Sequence, residues 1–551
     1  MRVLIINLTR LGDLIQTIGL VNKIKEKYPE VLIDILVIKA FSPIVKHISY
    51  INEIICLDDG VLVAKDLSEN FVDGYLELHH TINRLNAAKY DILYNPIVSK
   101  QSALLAFLIN AKRKLGMEMT ENREQKMTCD FIAYQLANQH KIGDFSFNLV
   151  DIISGMAMCF GEEFSFKTRL KLNVYKEDES NLSDFLSAIK STNKKIIGIH
   201  IGASQSNKAW EKHCYHKVIN HLLGEKDFCI ILFGGYNEKE FKSFFFDIKS
   251  ELFFNTIGNF KLNELVVAIS SIDLMVTNDT GPMHIAVATG KPVIDISLGP
   301  VSKWETGPYH EDSIIIQSRM ECYPCGFYHE CSHWSCHHAV SPEDVVKIIR
   351  CYFEDNNLPL GLKYQKLASE IDKERKRIRM YITKHDQFGF HFVRPILREE
   401  ITEVEYIFSL KRFIWSLYFF DKLHTHEKQY REFIDTLNAD YIIPELDFIE
   451  LKELLSEMIE ITTKILANLK LYGLNKNNLD KNKKYFQAVT KYKEVLYNKA
   501  RESELIYDWF EFVLFKESEI DDRELYMIIQ KTRHLYEILK MKLVLFKELL
   551  P

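Results

Sequence analysis

Along the first 350 or so residues, short β-branched apolar runs alternate with amphipathic stretches of helical period. This pattern predicts parallel sheets covered by helices, an α/β class. Predicted strands are Val3–Leu8, Ile33–Ile38, Glu53–Leu57 and Tyr90–Tyr94 in one series, then Lys195–Ile201, Phe228–Phe233, Leu274–Thr277 and Val293–Ser297 in a second. The polar stretch Tyr175–Lys195 separates the series, so two Rossmann-like domains facing a cleft are expected, over residues 1–175 and 176–355. Ser341-Pro342-Glu343-Asp344 signals a helix start, with Ser341 as N-cap, Pro342 at the first helical position and acids in the first turn. From Gly361 onward glycines become rare and apolar residues recur at helical spacing, as in Leu451, Leu454, Leu455, Met458 and Ile459. Residues 356–551 are therefore expected to form a separate all-α domain.

Composition narrows the functional classes. The chain has 551 residues, 47% hydrophobic and 26% charged, the balance of a globular protein with several folding units. Its formal net charge of −6 provides no global positive field for a nucleic-acid backbone, so nucleic acid is not an expected partner. No apolar run approaches the roughly 18 residues of a spanning helix, and the densest, Phe413–Phe420, is flanked by Lys411, Arg412 and Asp421. The N-terminus lacks a signal-peptide pattern and reads as a first strand, which predicts a cytoplasmic protein. Peripheral contact with the inner face of the cytoplasmic membrane stays open.

Three polar turns stand where strands end. Thr9-Arg10-Leu11-Gly12-Asp13 lies between the first strand and the first helix, at the sheet edge where α/β proteins bind ligands. Asp13 has two readings there, a helix N-cap or a general base. A single glycine in this turn is not a dinucleotide fingerprint, so hydride transfer is not supported and no organic cofactor is expected. The second turn runs from Gly202-Ala203-Ser204 to Lys208-Ala209-Trp210, and the next strand ends in Gly234-Gly235, where a ligand could approach the backbone closely. The third is Asn278-Asp279-Thr280-Gly281-Pro282-Met283-His284, which places a carboxylate and free N–H groups before a helix.

In this order, Gly12-Asp13, the Lys208-x-Trp210 loop, Asn278 through His284, Gly299-Pro300 and Thr306-Gly307-Pro308 resemble glycosyltransferase family 9, typified by ADP-heptose:lipopolysaccharide heptosyltransferases. The resemblance covers about residues 1–353 and implies a GT-B fold that binds the donor mainly through its C-terminal half. It further implies metal-independent transfer, with inversion, of a heptose from ADP-heptose to a bacterial surface glycan such as lipopolysaccharide core. By that resemblance Asp13 is the base, Lys208 receives the leaving diphosphate and Asp279 holds the donor sugar. The donor-binding set is then Gly12, Ser204, Lys208, Gly234, Gly235, Asn278, Asp279, Thr280, Gly281, Pro282, Met283 and His284. The segment Val301-Ser302-Lys303-Trp304-Glu305 departs from the family pattern.

Two regions lie outside this logic. Cys322, Cys325, Cys331 and Cys336, interleaved with His329, His333, His337 and His338, suggest a closed tetrahedral site for zinc or iron; reduced thiols in a loop are the alternative. The helical extension carries no catalytic signature, and acceptor recognition or self-association into a homo-oligomer are the roles open to it. Its presence keeps a second acceptor class open, a polypeptide glycosylated on a hydroxyl side chain. A non-catalytic nucleotide-sugar-binding scaffold is the reading from another class.

Overall fold

The computed structural model describes the chain except residues 59–70, 139–145, 161–164, 321, 327–330, 355–359, 376, 421–422, 424–426, 445–447, 475–478, 503–506, 519, 521–524 and 551. The chain divides into two compact units, one of residues 1–114 and 141–397, the other of residues 115–140 and 398–551.

In the first unit, β1 (Arg2–Asn7), β2 (Leu32–Ile38), β3 (Ile51–Leu57) and β4 (Tyr90–Asn95) pair in parallel in the order β3-β2-β1-β4. Helices cover both faces of such a sheet, and Val3, Leu4, Ile5 and Ile6 are accordingly all fully buried. Downstream, β5 (Ala111–Met119) leads into the second unit, where its end pairs antiparallel with β6 (Gln125–Met127).

The second sheet of the first unit contains β7 (Lys195–His200), β8 (Phe228–Phe233), β9 (Phe253–Asn255), β10 (Leu274–Thr277), β11 (Val293–Ser297) and β12 (Ile314–Ser318). Their order, β9-β8-β7-β10-β11-β12, is the 3-2-1-4-5-6 arrangement of a doubly wound nucleotide-binding domain. The order reverses between β7 and β10, and the chain leaving the carboxyl ends of those strands frames a crevice. Helix Pro342–Phe353 begins as its sequence signals: the Ser341 hydroxyl accepts the Asp344 N–H at 3.1 Å.

Residues 356–397 differ from the sequence expectation of an all-α domain starting at 356. They supply helix Leu360–Arg375 and the strands β13 (Ile378–His385) and β14 (His391–Pro395), which extend the second sheet, β13 antiparallel to β12 and β14 antiparallel to β13. The physical reason is burial: Tyr364, Ala368, Ile371, Ile378, Met380 and Ile382 belong to the same apolar cluster as Ile314 and Ile316.

The second unit is mainly helical. Its helices include Glu403–Phe419, Ile449–Leu474, Leu479–Glu502, Tyr507–Ser518 and Leu525–Leu549. Helix Asp130–Ala137 is part of it, with Phe131 stacked on Phe419 at 4.1 Å and Tyr134 edge-on to Trp415 at 4.9 Å. Among the described residues, no helix is long and apolar enough to cross a membrane.

Candidate active site

A cavity of about 720 Å³ opens at the carboxyl ends of β1, β7, β8, β10 and β11. It gathers Gly12, Asp13, Ser204, Lys208, Gly234, Gly235, Asp279, Thr280, Gly281, Pro282 and His284 from four separate turns. Two glycines make this convergence possible. A Cβ on Gly12 would lie 2.8 Å from Cδ2 of His284, and one on Gly281 would lie 2.8 Å from Cδ2 of Leu11. The helices Leu11–Gln16 and Gly281–Ala288 can approach so closely only without those side chains.

Two residues of the expected donor set do not line the cavity. Asn278 is fully buried, its Oδ1 accepting from the Trp210 N–H at 3.0 Å and the Tyr215 hydroxyl at 2.8 Å, while its Nδ2 donates to the Ile296 carbonyl. It fixes the loop after Lys208 against the end of β10. Met283 is also fully buried.

Asp13 is not the N-cap of its helix. That position falls to Arg10, whose side chain makes no capping bond. Asp13 stands in the first turn, and burial pushes its carboxyl above the usual range against the Arg10 charge, the Arg10 N–H and the Thr9 hydroxyl, while Asp279 adds to the rise. The effect is to make a stronger base of the carboxylate.

Opposite stands a cationic and polar cluster. The Lys208 ammonium, carried on the short turn Ser206–Lys208, lies 3.5 Å from Oδ2 of Asp279. That oxygen also accepts from the Thr306 hydroxyl at 3.0 Å, and Oδ1 lies 3.9 Å from Nε2 of His284. Burial lowers both cavity histidines, His200 to about 4 and His284 in spite of the neighbouring Asp279, so both imidazoles are neutral near pH 7. The helix Gly281–Ala288 starts at the cavity with Pro282 in its first turn, so the positive end of its dipole and the Gly281 backbone lie at the cavity wall.

Glu305 was not among the residues the sequence singled out for a role. It lines the cavity, and its carboxyl is pushed up to about 7, first by burial and then by Asp279 and Asp13, with Lys208 opposing. Its backbone carbonyl accepts the Leu149 N–H at 2.9 Å, which fixes the departing loop against the first domain. Behind the cavity floor Asp295 is fully buried, and burial raises its carboxyl well above the ordinary range.

The four clustered cysteines do not make the tetrahedral cage expected of them. Cys325 and Cys336 are buried, Cys322 is exposed and Cys331 intermediate. The thiols are close enough to raise one another's pKa, and Cys325 reaches about 11, mainly through burial. Yet among the described residues the one group of three or more donors within 4.8 Å of each other is Glu211, His213 and Cys214, in another part of the unit. Cys331 instead accepts the Trp334 N–H at 3.3 Å, and His329 lies outside the described residues.

Two doubly wound sheets whose strand ends meet at one cavity are the GT-B architecture of glycosyltransferases. Residues 78–333 match the model of glycosyltransferase family 9 (heptosyltransferase). The chain is 25% identical over 372 residues to lipopolysaccharide heptosyltransferase 1 of Campylobacter coli, covering 64% of this chain and all of that one. It is 23% identical over 330 residues to lipopolysaccharide heptosyltransferase 2 of Salmonella typhimurium, covering 58% of this chain and 88% of that one. A family 9 glycosyltransferase structure from Veillonella parvula superposes with a TM-score of 0.51 at 21% identity, covering 63% of this chain and 95% of that one, and shares the fold.

Proposed function

We propose that this protein transfers a heptose from ADP-heptose, with inversion at the anomeric carbon, to a hydroxyl of a lipopolysaccharide core. The observation that carries the reading is the meeting of Asp13 with Lys208, Asp279 and the N-terminus of helix Gly281–Ala288 in one cavity. In this mechanism the Asp13 carboxylate takes the proton of the acceptor hydroxyl as its oxygen attacks the anomeric carbon. The bond from that carbon to the diphosphate breaks, and its electron pair leaves with the phosphate oxygen. Lys208 and the helix N–H groups of the Gly281 turn receive the developing charge, the arrangement that lowers the barrier most when the donors are fixed in advance. Asp279, held by Thr306, accepts hydroxyl protons of the sugar. The positive charge the reaction needs is thus supplied by protein groups.

Of the acceptor classes the sequence leaves open, the names of the relatives speak for a lipopolysaccharide. A base and an anion site facing each other across one cavity also go beyond what a mere scaffold requires. The decisive experiment is calorimetry of the full chain with ADP-heptose, UDP-sugars and GDP-sugars. Preference for the ADP donor is expected, followed by heptose incorporation into a core-truncated lipopolysaccharide. Tighter binding of a UDP- or GDP-sugar would overturn the donor assignment.

A further inference from the structure

We propose that one end of the helical hairpin formed by Ile449–Leu474 and Leu479–Glu502, the end carrying Lys470, Leu471, Lys483, Lys484 and Phe486, docks on the surface of a bilayer rich in anionic phospholipid. Three contacts fix the geometry of the pair. Lys499 bridges to Glu457, the Lys464 ammonium lies 6.0 Å from the ring centroid of Tyr492, and the rings of Tyr472 and Phe486 are 6.3 Å apart. Partners on the second helix move back along the chain as those on the first move forward. The helices therefore run antiparallel, and residues 470–472 and 483–486 share one end. The inference is independent of the donor and acceptor assigned above.

Charge is segregated along this hairpin. On helix Ile449–Leu474 the exposed positions form one stripe that changes sign along its length: Glu453, Glu457 and Glu460 come first, then Lys464, Lys470 and Leu471. On helix Leu479–Glu502, Lys483, Lys484 and Lys491 are exposed, and the first acid after them is Glu494. Residues 461–493 hold eight lysines and a single acid, Asp480, in a chain whose net charge is −6. Glu460, itself paired with Lys464 at 2.6 Å, stands ten residues from Lys470, and Glu494 ten residues from Lys484. Ten residues span about 15 Å of helix, beyond the roughly 10 Å over which exposed charges act at 0.1 M salt. Neither acid neutralises the basic end.

The apolar side chains at the same end select a bilayer over a polyanion in water. Phe486 is 59% exposed and Leu471 41%, both among lysines, while Tyr472 and Tyr485 are half-buried. This is the composition of an interfacial element, in which ammonium groups meet lipid phosphates and apolar side chains enter the boundary between headgroups and acyl chains. A nucleic-acid duplex offers phosphates but keeps its apolar faces in the base stack, so it gives Phe486 and Leu471 nothing to enter. Among the described residues no helix is long and apolar enough to cross a membrane, and the contact proposed for this hairpin is with the surface.

The test is co-sedimentation of the full chain with lipid vesicles. Binding is expected with vesicles containing phosphatidylglycerol and not with phosphatidylcholine alone, and it should weaken at least about tenfold as salt rises from about 0.1 M to about 0.5 M. Each lysine near an anionic leaflet contributes roughly fivefold, so Lys483→Glu combined with Lys484→Glu should weaken binding by at least about twentyfold. Both positions lie near the N-terminus of their helix, where acids suit the dipole, so this variant stays folded. Lys190→Glu combined with Lys249→Glu makes the same change of net charge at exposed positions of the other unit and should leave binding nearly unchanged. Phe486→Trp puts an indole at the docking end, and its emission should shift to the blue when anionic vesicles are added. A parent chain that ignores anionic vesicles would overturn the proposal, as would a Lys483/Lys484 variant that binds like the parent or an equal loss in the Lys190/Lys249 control. An unshifted indole, or tighter binding to an oligonucleotide than to the vesicles, would overturn it too.

Discussion

The Lys208 ammonium and the Asp279 carboxylate stand 3.5 Å apart, each about 8% exposed, at the wall of the donor cavity. They come from the loops after β7 and β10, the two strands between which the sheet order reverses. Asp279 has a second partner in the Thr306 hydroxyl, which donates to its Oδ2 at 3.0 Å, so in the proposed mechanism Lys208 is free to serve the leaving diphosphate. Lys208→Met should therefore lower turnover by something like 10²–10³-fold, the usual cost of removing one donor to a developing anion. Lys208→Arg should recover little of it, since the planar guanidinium is wider than an ammonium and needs a different geometry. Steady-state kinetics with saturating acceptor provide the check, and near-normal turnover in Lys208→Met would remove the lysine from the mechanism.

Asp13→Asn tests the proposed base, since it removes the charge of the carboxylate and keeps its size. The helix is not capped by Asp13, and an amide oxygen can still accept the Arg10 N–H, so thermal stability should change little. Turnover should fall by about 10²–10⁴-fold, while ADP affinity measured by calorimetry stays close to that of the parent. A parallel loss of ADP binding would show that Asp13 holds the donor and is not the base.

Much of this architecture is legible in the sequence because parallel strands are buried on both faces. Runs such as Lys195–His200 and Phe228–Phe233 then show continuous apolar residues that end in glycine-bearing polar turns. The turns were readable for the same reason: Gly12 and Gly281 are required where two helices nearly touch. Asn278 was misplaced because a polar residue beside Asp279 looks like a ligand group, whereas its partners, Trp210, Tyr215 and Ile296, are distant in sequence. The assignment of residues 115–140 to the helical unit was invisible for that reason too. Asp130 meets the Tyr418 hydroxyl 288 positions later, and no local pattern announces it. Glu305 likewise acquires its character only from burial beside Asp13 and Asp279.

That character predicts a pH dependence. A carboxyl whose folded value, about 7, lies above the 4.5 of an ordinary glutamate binds protons more tightly in the folded state. Its contribution to stability is full below pH 4.5 and is lost as pH rises toward 7. Ionised Glu305 also sets another negative charge beside Asp13 and Asp279, where an anionic donor must enter. ADP affinity should accordingly fall as pH rises through 7, and Glu305→Gln should flatten both the affinity and the melting-temperature profiles over this range. An unchanged slope in the variant would assign the titration to another group.

The helical unit offers a test of buried charge without reference to catalysis. Lys542 is 1% exposed, and its ammonium nitrogen sits 3.2 Å from the ring centroid of Trp415, 4.1 Å from that of Tyr418 and 4.8 Å from that of Phe512. The neighbouring acids already have closer cations: Asp508 pairs with Lys411 at 2.7 Å and Asp130 with Lys516 at 2.8 Å. Burial therefore wins over the attraction of both acids and holds the Lys542 pKa well below the usual lysine value. The folded state binds this proton less tightly than the unfolded chain, so stability should rise as pH climbs toward 10.5, where the unfolded lysine also loses its proton. Lys542→Met keeps a long apolar stem against the three rings and removes the ammonium. It should leave stability at pH 7 unchanged or raise it by up to about 1–3 kcal/mol, the range seen when buried charge gives way to a well-packed apolar group. The alkaline rise should disappear with it. If denaturant unfolding instead shows a loss of several kcal/mol at neutral pH, the attraction of the rings and of Asp508 and Asp130 exceeds the cost of burial, and the lysine is held there as a cation.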